Sequence, residues 1–341
     1  MIDLSSDTAT KPTTGMRQVM ATAEVGDEQR GEDPTVNRLL QMVCSLLNKE
    51  TALFLPSGTM CNCVAIKAHT HPGEAILVDR QAHILRSESG AAAFLSGVIL
   101  EQLPSNRGRF TSDDVIAAIP RESVYVAPPH LLCVEQAHNH GGGSIWPLEQ
   151  LSAVCETAHQ YGLAVHMDGA RLFNAVVATS ILAHEYTKFC DSVWIDFTKG
   201  LGAPLGAVLA GSEAFIERAR RYKHVFGGAL RQAGIVAAGC IYALENHIER
   251  LHEDHLNAQI LGDGLGSIAG IQVEVPIETN MVFFNVSDTG LEPEDFLAAI
   301  EIHGVRMSAM GKRIRAVTHL NISRNDVEKA INVVWKVVKE A

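Results

Sequence analysis

The sequence predicts an α/β protein: a large domain with a mostly parallel sheet covered by helices on both faces, and a small α+β C-terminal domain. Two observations carry this. Apolar runs of strand length alternate with segments of helical apolar spacing over most of the 341 residues, the pattern of successive βαβ units. The residues richest in chemistry, Ser57, Asp168 and Lys199, stand at or just past the ends of such runs, where a sheet of this kind binds its ligands.

Residues 1–34 show little periodicity beyond a helical stretch near 15–23, and read as an N-terminal arm packing with the large domain. From Thr35, the positions Val36, Leu39, Leu40, Val43, Leu46 and Leu47 keep helical spacing. ALFL (52–55) reads as a strand, and PSGTM (56–60) turns it into a helix from about Met60. The backbone amides of Ser57, Gly58 and Thr59 at that helix start suit a phosphate, a plain capped turn being the alternative. AILV (75–78), GVIL (97–100) and LLCVE (131–135) are further strands, with a helix over 112–119. Pro147 opens a helix to about 161 with Leu148, Leu151, Val154 and Ala158 on one face. AVHMD (164–168) and SVWIDF (192–197) continue the alternation, and a glycine-rich turn leads to a second apolar run over 205–210.

Around 246–253 the chain becomes helical and charged, which places a domain boundary near 245–250: a large domain over 35–248 and a small one over 249–341. There IQVEV (271–275), MVFFNV (281–286) and IRAVTHLNI (314–322) read as strands and 293–303 as a helix. Ser323 with Asp326 gives a capping-box pattern for a terminal helix to 339.

Composition narrows the function. With 47% hydrophobic and 20% charged residues the chain has ordinary globular character, and a formal charge of −11 argues against nucleic acid or an anionic membrane as partner. No run approaches the ~18 apolar residues of a membrane span. The opening MIDLSSDTATKP lacks a basic-then-apolar leader, so a cytoplasmic protein is expected. Seven cysteines without paired CxxC spacing fit reduced thiols. Cys61 and Cys63 read as core residues, and no metal site is expected.

A lysine at the end of a buried strand is partly desolvated, which frees its amine to attack a carbonyl. Alone, Lys199 would read as a snorkelling side chain at a strand end. Asp168 at the tip of another strand changes the balance. An aspartate for a pyridinium nitrogen and a lysine for an aldehyde are the pairing that pyridoxal 5'-phosphate (PLP) requires.

Seven segments run in one order over nearly the whole chain: GEDPTVN (31–37), PSGTM, AHI (82–84), HMDGARLFNA (166–175), TKGLGAPLGAVLAGS (198–212), GGALRQAG (227–234) and RAVTHL (315–320). In these the sequence resembles the L-threonine aldolases, a group of the aspartate-aminotransferase-like, fold type I PLP enzymes. The resemblance implies retro-aldol cleavage of L-threonine or L-allo-threonine-type β-hydroxy-α-amino acids to glycine and an aldehyde. An amino-acid racemase, a β-eliminating lyase or an aminotransferase would use the same cofactor on the same fold.

It implies Lys199 as the residue that holds the cofactor, Asp168 on its ring nitrogen, and Ser57, Gly58, Thr59 and Arg231 on its phosphate, with Lys223 assisting. Arg315 and Arg171 would clamp the substrate carboxylate, with Ser6 alongside. For Arg171, pairing with the cofactor's ring oxygen or a neighbouring acid is the alternative. His83 would stack on the cofactor ring, act as base, or do both. His138, in EQAHN (135–139), would take the β-hydroxyl proton itself or position a water that does. Arg231 and Lys223 would act across a subunit interface within a homotetramer of two catalytic dimers.

The chain departs from the family pattern beside the site. Arg30 replaces the usual tyrosine before GEDP, and Arg86–Ser87 stand where an aromatic is usual. Two arginines gained and two aromatics lost predict a pocket for a polar or anionic β-substituent, such as that of 3-hydroxyaspartate. Pairing of these arginines with Glu88, Glu32 or Asp33 is the alternative.

Overall fold

The protein is described by a computed structural model over residues 1–121 and 123–340. The first strand, β1 (Ile2–Asp3), leads into an arm with a helix at Thr14–Ala21. Next come β2 (Thr51–Leu55), β3 (Ala75–Asp79), β4 (Ile99–Leu103), β5 (Pro129–Glu135), β6 (Ala164–Gly169), β7 (Ser192–Asp196) and β8 (Ala207–Gly211). These seven form one sheet in the order β2-β8-β7-β6-β5-β3-β4. Six run parallel and β8 alone runs opposite, pairing antiparallel with β2 and β7. The reversal has a local cause: only a short glycine-rich turn separates β7 from β8, too short for the crossover that a parallel neighbour needs. Helices cover both faces, so β3, β6, β7 and β8 are almost continuously apolar and buried.

The C-terminal unit packs a second core around β9 (Gln272–Val273), β10 (Met281–Asn285), β11 (Val305–Arg306), β12 (Ser308–Met310) and β13 (Arg313–Val317). β12, β13, β10 and β9 make an antiparallel sheet, with helices Leu251–Gly266, Pro293–Ile302 and Arg324–Glu340 against it. The Ser323–Asp326 capping box is present, Ser323 N and Oγ donating to Asp326 at 3.0 and 2.6 Å. The helix Gly234–Asn246 lends Ala237, Cys240 and Ala243 to the large core, whereas Ala258, Leu261 and Leu265 of the following helix belong to the second.

Three expected elements differ. The strand expected at 97–100 begins at Ile99, because Gly97 has a left-handed backbone (φ 71°) that closes the preceding helical turn. The strand expected over 314–322 ends at Val317, where Thr318 Oγ1 turns to donate to the Asp254 carbonyl at 2.6 Å. The arm expected on the large domain starts on the small unit, where β1 pairs parallel with β11 and Leu4 is buried in the second core, but its helix Thr14–Ala21 packs on the helix Gly234–Asn246 with Met16 in the large core.

Candidate active site

Four strands bring a carboxylate to one edge of the sheet, Asp79, Glu135 and Asp196 as the last residue and Asp168 as the last but one. Each follows an apolar run, so the strand buries its body and delivers its last side chain to a polar rim. Asp168 is buried and receives Asn62 Nδ2 at 2.9 Å and the Ala170 amide at 3.1 Å. Among the described residues no cationic side chain forms an ion pair with it. Burial, with Glu135 nearby, pushes its carboxyl up to about 6.

The loop after β7 brings Lys199 to the same place, its Nζ 3.2 Å from Asp196 and 5.5 Å from the centre of the Trp194 ring. That indole also packs against Gly58, where a Cβ would collide with it, so the first turn of helix Gly58–His69 is one ring away from the lysine. Ser57 caps the helix by accepting from the Met60 amide at 3.2 Å, and the Gly58 and Thr59 amides are free for an anion.

Asp168 and Lys199 line a cavity of about 330 Å³ together with His83, Ser6, Arg171 and Arg315, so six residues singled out from the sequence share one space. His83 Nδ1 lies 2.8 Å from Glu88. Burial alone would lower its pKa, but the Glu88 hydrogen bond and the nearby Asp168 and Glu135 more than offset this, and the net shift is upward. Arg171 forms a two-pronged pair with the buried Asp7, both contacts at 2.7 Å, so the neighbouring-acid alternative describes it here. Arg315 differs. Among the described residues its guanidinium donates only to neutral acceptors, Asn139 Oδ1 at 3.0 Å, the Ser5 carbonyl at 2.9 Å and Ser308 Oγ at 3.3 Å. Burial and the neighbouring Arg171 lower it to about 10.

Eight expected site residues do not line this cavity: Ser57, Gly58 and Thr59, at the helix start described above, and His138, Arg30, Arg86, Lys223 and Arg231. His138 is fully buried behind the strand tips, its Nε2 3.1 Å from Asp79 and its Nδ1 accepting from the Gly141 amide at 2.9 Å. With both ring nitrogens engaged it cannot reach a substrate hydroxyl as base. Arg30 and Arg86 are exposed and neither pairs with Glu88, Glu32 or Asp33; Arg86 Nε donates to the Arg80 carbonyl at 2.7 Å. Lys223 is buried in an ion pair with Glu28 at 2.6 Å, and exposed Arg231 pairs with Asp27 at 2.9 Å.

The site also uses residues that the sequence reading passed over. Asn62 is fully buried and touches Asp168, Glu88 (2.7 Å), Trp194 Nε1 (2.7 Å) and His166 Nε2 (3.1 Å). Glu135 accepts the His83 and Asn139 amides at 2.9 and 2.7 Å. Glu135 carries the same local signal as Asp168, an acid closing an apolar run. Asn62, inside a helix, carries none.

A lysine, an unpaired buried acid and an unpaired arginine about one cavity, at the carboxyl edge of a mostly parallel sheet with a smaller unit alongside, define the fold type I class of PLP enzymes. The residues present fit that cofactor: among the described residues Asp168 has no cationic partner, and the helix start at Ser57–Thr59 has no acidic side chain in its first turn. Within that class the chain belongs to the beta-eliminating lyase family, whose model it matches over residues 3–289. It is 40% identical over 330 residues to the low specificity L-threonine aldolase of Escherichia coli K12, covering 96% of both chains. To low-specificity L-threonine aldolase 1 of Arabidopsis thaliana it is 36% identical over 338 residues, 97% of this chain and 94% of the other. The solved threonine aldolase of Leishmania major shares the fold at TM-score 0.85 and 20% identity, over 99% of this chain and 100% of that one.

Proposed function

We propose that this chain is a PLP-dependent lyase that cleaves β-hydroxy-α-amino acids of the L-threonine type into glycine and an aldehyde. The observation that carries the reading is the cavity in which Lys199, Asp168 and Arg315 meet, the last two without counter-ions. When bound, PLP supplies an electron sink for the pair left on Cα as the Cα–Cβ bond breaks. Lys199 would hold it, Asp168 would face its ring nitrogen, and the Ser57–Thr59 helix start would take its phosphate.

The chain's own side chains then decide what happens to the substrate. Arg315 offers an unpaired planar fork that fixes both the position and the tilt of the α-carboxylate, and so selects which Cα bond stands ready to break. His83 takes over the role expected of His138. With Nδ1–H donating to Glu88, its Nε2 is an acceptor on the cavity wall and takes the β-hydroxyl proton. Arg171, held by Asp7, shapes the wall and adds positive potential. The tetramer implied by resemblance would carry Arg231 and Lys223 to a neighbouring site; a single species of four-chain mass by light scattering is expected.

The decisive measurement is product analysis with L-threonine on PLP-loaded protein. Glycine and acetaldehyde are expected, with visible absorbance from the bound cofactor. Lys199→Ala should lose that absorbance and at least about a thousandfold in turnover. A keto acid, ammonia or inverted threonine in place of glycine would replace the aldolase reading with an aminotransferase, eliminating lyase or racemase.

A further inference from the structure

A second cavity of about 580 Å³ adjoins the first. Ala309 and Met310 line both, so the two cavities meet along β12. The remaining walls are shared in the same way. The segment after β3 gives His83 to the first and Arg80 to the second; the turn after β5 gives Asn139 to the first and His140 to the second. Strand β13 gives Arg315 to the first and Arg313 to the second.

The second cavity carries excess positive charge. Arg107 and Arg109 share Glu278, at 2.8 and 3.8 Å, and Arg313 pairs with Glu274 at 3.1 Å. Among the described residues Arg80 has no acid partner, its guanidinium reaching the Ser105 carbonyl at 3.5 Å. Asp79, beneath Ser105 and Gln81, is committed to His138. His140 has a buried Nε2 without a hydrogen-bond partner, and burial keeps the ring neutral by lowering it to about 4. It offers a hydrogen bond without altering the charge.

We propose that this second cavity receives the substrate's side chain beyond Cβ, and that Arg80 and Arg313 select side chains ending in a carboxylate. The inference rests on the aldolase reading and places selectivity on different arginines from Arg30 and Arg86. An arriving carboxylate occupies the open guanidinium of Arg80 and competes with Glu274 for Arg313, whose guanidinium stays positioned over the Phe283 ring at 4.4 Å.

The test compares kcat/KM of PLP-loaded enzyme for 3-hydroxyglutamate and its neutral isostere 3-hydroxyglutamine, beside threonine and phenylserine. The acid is expected to exceed the amide by about tenfold or more, mostly through KM. Arg80→Gln, at an exposed position, should cut that ratio by at least about threefold, and Arg313→Gln should cut it too. A wild-type ratio of one or less, or a ratio unmoved by both substitutions, overturns the proposal while threonine cleavage keeps the aldolase reading. Release of glycine from none of the four substrates overturns both.

Discussion

Two groups of charged side chains sit at the carboxyl edge of the large sheet, and they are built on opposite plans. One group already has its partners: Asp79 and Glu135 flank His138 at 3.1 and 3.7 Å, and Asp7 grips Arg171 through two contacts. Facing the cavity, Asp168 has amides for company and Arg315 has carbonyl and hydroxyl oxygens. Matched charges lock the strand tips and the arm in place. The unmatched ones remain costly until a ligand of opposite charge arrives, which is what a binding site needs. Arg171 and Arg315 line one cavity and differ only in what the chain has already given them.

The largest effect that would sharpen this contrast is at Arg315. Arg315→Gln should lower kcat/KM for L-threonine about a hundredfold or more, since the substrate carboxylate would then be buried unpaired, with little loss of stability to denaturant. A loss of stability as large as that from Asp7→Asn would mean that Arg315 is structural after all. Asp7→Asn should behave inversely: it strands a buried guanidinium and costs about 3–5 kcal/mol of stability, read from urea unfolding. The sign with pH follows from the Asp7 carboxyl lying well below its ordinary value despite burial, because of Arg171. Its stabilisation is present above the ordinary aspartate range and is lost as pH falls toward the depressed folded value. Wild type and variant should therefore converge in acid.

The smallest effect is at His138. His138→Gln should leave kcat/KM within about tenfold of wild type while costing about 1–3 kcal/mol of stability. The Gly141 amide donating to Nδ1 holds the ring in its neutral form, with its hydrogen on Nε2 toward Asp79, so this cost should change little between about pH 6 and 8. A loss of turnover by His138→Gln equal to that of a His83 variant would restore His138 as the base.

The contrast between matched and unmatched charges is also the line along which the sequence was legible. Lys199, Asp168 and Ser57 announce themselves locally, because each stands near a strand end or at a helix start, whereas Arg315, in the middle of β13, was read only through the resemblance. AILVD, LLCVE and SVWID carry the same punctuation as AVHMD, so Asp79, Glu135 and Asp196 were available to the same reasoning. What a residue is paired with was not available. Asp7 meets Arg171 across 164 positions and Glu28 meets Lys223 across 195, and His138 meets Asp79 only because β5 lies beside β3. The reversal of β8, by contrast, was open to reading, since the short turn after β7 leaves no room for a crossover.

Asn62 has a consequence that reaches across the sheet. Its Nδ2 faces two carboxylates, which only accept, so its Oδ1 must be the atom turned to His166 and Trp194. His166 therefore carries its hydrogen on Nε2, its Nδ1 accepts from the Ser192 hydroxyl at 2.8 Å, and that oxygen accepts from His69 Nε2 at 2.7 Å. Both imidazoles are neutral, burial lowering them to about 3 and about 4. One primary amide thus dictates the tautomers of two core histidines, and the polarity of the whole relay is set by the anionic end at Asp168 and Glu88.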